Sequence, residues 1–184
     1  YSQRRAILSD SRPDRRDFFG YHNKTLRRIF VSIPENLKKL TGEWKGINRL
    51  YTTWIEENPV RESESIAKIN LAGNGKFLKI EYDWIYENEN QEGLLLIGSE
   101  ENSEEVKAFW IDSWHLQDKF MSCDGNFSGD SILMKGFYEV PNHPDWGWRT
   151  DIFLTDENSF KIVMFNVTPE GAEDLAVDAE YSKQ

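Results

Sequence analysis

The chain has 184 residues, 39% of them hydrophobic and 14% aromatic, which is enough for one domain with a real core. A net charge of −10 disfavours nucleic-acid phosphates and anionic membrane surfaces, and the single Cys123 excludes an internal disulfide framework or a cysteine metal cluster. No apolar run is long enough to span a membrane and no apolar signal segment stands near the N-terminus, so we expect no nucleic-acid partner, no membrane span and a cytoplasmic location.

The charge is unevenly spread. Residues 1–30 hold eight Lys and Arg against three Asp, a net +5, which leaves −15 on the rest of the chain. They show little hydrophobic alternation and contain the turn-like Ser9-Asp10-Ser11-Arg12-Pro13. Residues 1–36 therefore read as a basic extension with short helices at Arg15–Phe19 and Asn23–Phe30. Residues 37–184 read as the folded domain. The extension is expected to lie on the acidic body of its own chain or of a neighbour, and its Phe18, Phe19 and Phe30 are available for a homodimer contact.

After Ile33-Pro34, the stretch Glu35–Thr41 predicts a short helix with Leu37 and Leu40 on one side, closed by Gly42. From there apolar residues recur at every second position, the mark of strands with one buried face. The first strand runs from Gly42 to about Trp54 and the second over Glu62–Leu71. A glycine-rich turn, Ala72-Gly73-Asn74-Gly75, leads to the third, where Leu78, Ile80, Tyr82 and Trp84 share a buried face and Lys79, Glu81 and Asp83 the exposed one. Gly93–Gly98, Val106–Trp114, Lys119–Cys123, Ser131–Val140, Trp146–Leu154, Ser159–Val167 and Ala172–Tyr181 follow. Turns are predicted at Glu87–Glu92, Glu100–Glu105, Asp124–Asp130, Pro141–Pro144, Thr155–Asn158 and Thr168–Gly171.

About ten strands joined by short turns, with no intervening helix, exclude βαβ crossovers. A meander this long closes on itself to remove its edges. The reading is all-β: an antiparallel up-and-down β-barrel of about ten strands, preceded by a short helix and a basic N-terminal extension. An eight-stranded lipocalin-type barrel and a two-sheet sandwich are the alternatives.

Leu40-Thr41-Gly42-Glu43-Trp44-Lys45-Gly46 is similar to the Gly-x-Trp opening of the calycins, which include lipocalins and fatty-acid-binding proteins. Gly75-Lys76-Phe77-Leu78, the stretch from Gly93 to Ile97-Gly98, Trp110-Ile111-Asp112-Ser113, Gly125 and the closing Ala179-Glu180-Tyr181 follow in order. Together they resemble the family known as DUF1579 over roughly residues 37–183. The resemblance implies a calycin-like β-barrel; it brings no activity and no catalytic residues.

The tract Trp110-Ile111-Asp112-Ser113-Trp114-His115 sets a carboxylate and an imidazole among tryptophans. On a continuous strand Asp112 would share a face with Trp110 and Trp114, and His115 would point the other way, so adjacency alone argues against a direct Asp–His pair. Asp112 is read either as a ligand anchor inside the barrel or as a structural carboxylate that accepts hydrogen bonds, since a buried carboxylate must be paired. Arg149 inside would suit an anionic ligand; the more apolar opposite face of its strand argues that it lies outside. His22, His115 and His143 have no metal-ligand spacing, and no nucleotide-binding or nucleophile-elbow motif is present, so no metal and no cofactor are expected. Glu43, Glu62 and Glu64 with Asp112 could supply two carboxylates for acid–base work, but acidic residues are so frequent here that such pairs arise by chance. Three function classes remain: a barrel binding a small hydrophobic or amphipathic ligand through Trp44, Tyr82, Trp84, Trp110, Asp112, Trp114, His115 and Arg149; an interaction domain with a side-chain-filled barrel; and, third, an enzyme.

Overall fold

The computed structural model describes residues 33–99 and 103–184. The two helices expected within residues 1–30, and part of the acidic turn at Glu100–Glu105, lie outside the described residues. Ten strands follow in order: β1 (Gly42–Tyr51), β2 (Val60–Ala72), β3 (Phe77–Tyr86), β4 (Glu89–Ser99), β5 (Glu105–Asp112), β6 (Met121–Ser128), β7 (Ser131–Tyr138), β8 (Trp146–Asp156), β9 (Ser159–Val167) and β10 (Glu173–Lys183). Each pairs antiparallel with its neighbours in sequence, and β1 pairs with β10 to close the barrel. No helix among the described residues is long and apolar enough to cross a membrane.

Strict alternation makes the wall. Along β5 every second residue is buried, from Val106 through Ala108 and Trp110 to Asp112. One buried cluster results, running from Leu37 and Trp44 at one end to Trp84, Trp110 and Trp148 towards the other. In β3, Leu78, Ile80 and Trp84 are buried as expected, but Lys79, Glu81 and Asp83 are half-buried rather than exposed. Lys79 pairs with Glu81, and Asp83 accepts a hydrogen bond from the Ile66 backbone N–H, so these side chains lie along the wall instead of standing into solvent.

Several element bounds differ from expectation for local reasons. The helix predicted over Glu35–Thr41 is a single 3-10 turn, Leu37–Leu40. Thr41 is already extended and gives its N–H back to the Lys38 carbonyl, so the chain enters β1 before a longer helix can form. Leu37 and Leu40 are fully buried and plug this end of the barrel, and the Asn36 side chain ties the turn to Gly129 O and Asp130. β1 stops at Tyr51 rather than Trp54. β4 begins at Glu89, because Glu87 and Asn88, both at positive φ, make a two-residue turn where a longer one was expected. β6 runs through Asp124-Gly125-Asn126, which had read as a turn. A Cβ at Gly125 would lie 1.9 Å from Leu133 O, so only glycine lets β6 and β7 approach this closely. The turn itself is Gly129-Asp130, with Gly129 at φ +57°.

Candidate functional site

The 3-10 turn closes one end of the barrel, and the other end opens into a cavity of about 690 Å³. Leu50, Trp110, Met121, Trp148 and Ala176, all buried, line its depth; Trp114, His115 and Leu116 come from the loop after β5, and exposed Trp54, Phe120 and Phe137 form the rim. Trp110 and Trp148 reach across from β5 and β8 and stack at 5.2 Å between ring centroids, 19° from parallel. A shallower hollow of about 390 Å³ on the outer wall, among Ile66, Lys68, Glu81, Leu94 and Ile111, contains neither Asp112 nor His115.

β5 ends at Asp112, and this end decides the site. The Asp112 carbonyl accepts from Leu116 N and Gln117 N, which turns the chain sharply inward. Asp112 Oδ1 accepts from Trp114 N at 3.0 Å and from His115 N at 2.8 Å, and the His115 ring nitrogen Nδ1 lies 3.0 Å from the same oxygen. The expectation that Asp112 and His115 point apart is therefore overturned. It assumed a strand running to Trp114, whereas the turn brings His115 back over its own strand.

The other carboxylate oxygen, Oδ2, accepts from Tyr82 OH at 3.0 Å and Trp84 Nε1 at 3.4 Å. Tyr82 OH in turn accepts from Trp110 Nε1 at 2.8 Å. Tyr82 reaches Asp112 across β4 because Gly93 stands between them in the ladder; a Cβ there would lie 2.1 Å from Tyr82 Cζ. Burial pushes the Asp112 carboxyl up, but hydrogen bonds and charge from His115, with the backbone N–H groups of the turn, hold it below its ordinary value. Burial, reinforced by the Asp112 charge, pushes the Tyr82 phenol well above its ordinary value, so it remains a neutral donor.

The imidazole of His115 sits among four indoles, at centroid distances of 5.5 Å to Trp84, 5.7 Å to Trp110, 4.7 Å to Trp114 and 5.2 Å to Trp148. Its second nitrogen, Nε2, is buried and has no hydrogen-bond partner among the described residues, and the same holds for Trp148 Nε1. Trp148 itself was not among the residues expected at the site. The alternation of β8 was the available signal, since Trp148 shares the apolar face of that strand with Thr150 and Ile152.

Two expected residues lie elsewhere. Trp44 is at the plugged end, packed edge-on against Phe160 at 4.8 Å and donating Nε1 to Leu40 O. Arg149 is on the outer wall. It pairs with Glu173 and Asp151 and lies over the Phe165 ring, because the alternation of β8 gives the interior to Trp148 and Thr150. The carboxylates Glu43, Glu62 and Glu64 pair with Lys68, Arg49 and Lys45 and do not meet Asp112. Buried Cys123 has its thiol pushed up to about 11 by burial and by Asp124, which keeps it protonated. Among the described residues no cluster of three or more His, Cys, Asp or Glu is placed to hold a metal ion.

Residues 34–183 match a family described as a protein of unknown function, DUF1579. The chain belongs to this family. Two solved structures share the fold. Rv2717c from M. tuberculosis is 11% identical with a TM-score of 0.55, the likeness covering 83% of this chain and 99% of that one. The S-type phycobiliprotein lyase CPES from Guillardia theta is 13% identical with a TM-score of 0.54, covering 83% and 93%. No curated protein matches the chain.

Proposed function

We propose that this DUF1579 barrel binds a small hydrophobic or amphipathic molecule in the cavity at its open end. The observation that carries this reading is the cavity itself. About 690 Å³ of space, walled by tryptophans and opening between exposed aromatic residues, is of the size and character of small-molecule pockets. A barrel needed only for stability would fill this end with side chains, as it does at the end occupied by Leu37, Leu40, Trp44 and Phe160. Trp84, Trp110, Trp114 and His115 form or back the wall of the site, with Asp112 and Tyr82 holding them in place. The likeness to a phycobiliprotein lyase supports the fold, and the cavity supports the ligand.

The test is quenching of tryptophan fluorescence by a panel of fatty acids and neutral aromatic compounds. Saturable quenching is expected. Ala176→Phe, which adds a ring at the cavity wall, should weaken it at least about tenfold, a loss of about 1.4 kcal/mol, while circular dichroism stays unchanged. A panel without effect, or equal binding by the filled variant, defeats the reading. A second reading then gains ground: Phe109 and Ile111 are exposed on the outer wall, with Phe120 of the rim in edge contact with Phe109, and would serve an interaction surface.

A further inference from the structure

We infer that the ligand is a neutral, ring-bearing molecule held through a hydroxyl group that donates to His115 Nε2 and accepts from Trp148 Nε1. This rests on the ligand-binding reading above and names the chemistry of the same cavity. Both atoms belong to side chains that line it and are more than nine-tenths buried, and neither has a partner among the described residues. The other buried polar atoms without partners, on Arg61, Arg149 and Asp151, belong to residues that do not line it.

The two atoms are opposite in kind. The Asp112 carboxylate can only accept, so His115 presents Nδ1–H to it; in this scheme the ring is neutral, the form in which Nε2 is a bare acceptor. The Trp148 indole N–H can only donate. The rings that carry them are 5.2 Å apart between centroids. Buried polar groups are normally satisfied, and leaving a donor and an acceptor both unmade is costly.

A hydroxyl is the smallest group that satisfies the two together. An ether supplies only the acceptor, and an ammonium only donors. A carboxylate supplies acceptors alone and brings a second negative charge towards Asp112. The remainder of the ligand meets the faces of Trp110, Trp114 and Trp148 and the side chains of Leu50 and Met121, which favour flat, apolar rings. Asp112 is a positioning residue in this scheme: it fixes the imidazole through Nδ1 and touches no ligand atom.

The experiment measures affinities of naphthol, methoxynaphthalene, naphthalene and naphthoate for the full chain by calorimetry and tryptophan quenching. Naphthol should bind tightest, at least about tenfold above the ether and the hydrocarbon, with naphthoate weakest. His115→Phe and Trp148→Phe each keep a ring in place and should bring naphthol down to the level of naphthalene, whose own affinity changes by less than about threefold. The native chain carries the comparison by itself, so a variant that fails to fold leaves it decisive. Naphthalene equal to naphthol, or naphthoate tightest, overturns the hydroxyl anchor and leaves the cavity reading standing. No binding by any of the four overturns the cavity reading as well.

Discussion

A carboxylate only 2% exposed persists inside an apolar barrel when donors match its charge, and Asp112 receives five. Its carboxyl is held below the ordinary value of 3.8, so its stabilising contribution is present above that value and is lost as pH falls through the lower folded-state value. We predict that Asp112→Asn costs about 1.5–3 kcal/mol at neutral pH, the range for hydrogen bonds to a charged group. In urea titrations from pH 7 down to about 2, the gap between variant and native chain should shrink below the ordinary carboxyl value, where the unfolded chain takes up the proton before the native one does; a gap constant with pH would show that its charge does not matter. The alternation of Val106, Ala108 and Trp110 was enough to place Asp112 inside. The position of His115 was not legible in the same way, because periodicity carries no mark of where a strand stops. The available mark was chemical: an Asp whose side chain can accept from the backbone two and three residues on starts a turn.

At the scale of strands, the row Tyr82–Gly93–Asp112 shows what pairing adds to pattern. Those three residues lie side by side on β3, β4 and β5, and the bare Gly93 lets the tyrosine lie over its own neighbour to reach the carboxylate. Gly93→Ala should cost about 1–3 kcal/mol, the usual range for overpacking, by forcing Tyr82 off both Asp112 and Trp110. Tyr82→Phe combined with Gly93→Ala should lose less than the two single changes summed, since the clash involves the phenol oxygen at 2.3 Å as well as the ring. Additive losses in a double-mutant cycle would separate the glycine from the tyrosine. Gly93 and Gly125 both stood out in the sequence as motif positions, yet the reason for each is a contact with another strand. Register across a barrel is set by all its hairpins at once, so such reasons become visible only when the pairing is known. The same holds for β6, where Lys107 reaches across to Asp124 and a polar, glycine-bearing stretch that reads locally as a turn is held in the ladder.

For the molecule as a whole, closure is complete within residues 42–183. β1 meets β10 along a ladder from Trp44 and Lys183 to Leu50 and Val177, and Arg49 crosses this seam to Glu180 while also binding Glu62 on β2. Exposed pairs of this kind are individually worth about 0–1 kcal/mol, so the ladder and the buried side chains beneath it carry the seam. The far end is plugged by Ile33, Leu37 and Leu40, all fully buried and all C-terminal to residue 30. Every strand thus has both neighbours among the described residues, and Ile33, Leu37 and Leu40 cover the core at the plugged end. Deleting residues 1–30 should therefore leave the circular dichroism of a β-protein and a urea midpoint close to that of the full chain. Its net +5 opposes a body of −15, so removal should also change retention on an anion-exchange column, and light scattering at matched concentration would report whether Phe18, Phe19 and Phe30 join two copies. A truncated chain that fails to fold would mean that the segment supplies core, and that the boundary near residue 36 is wrong.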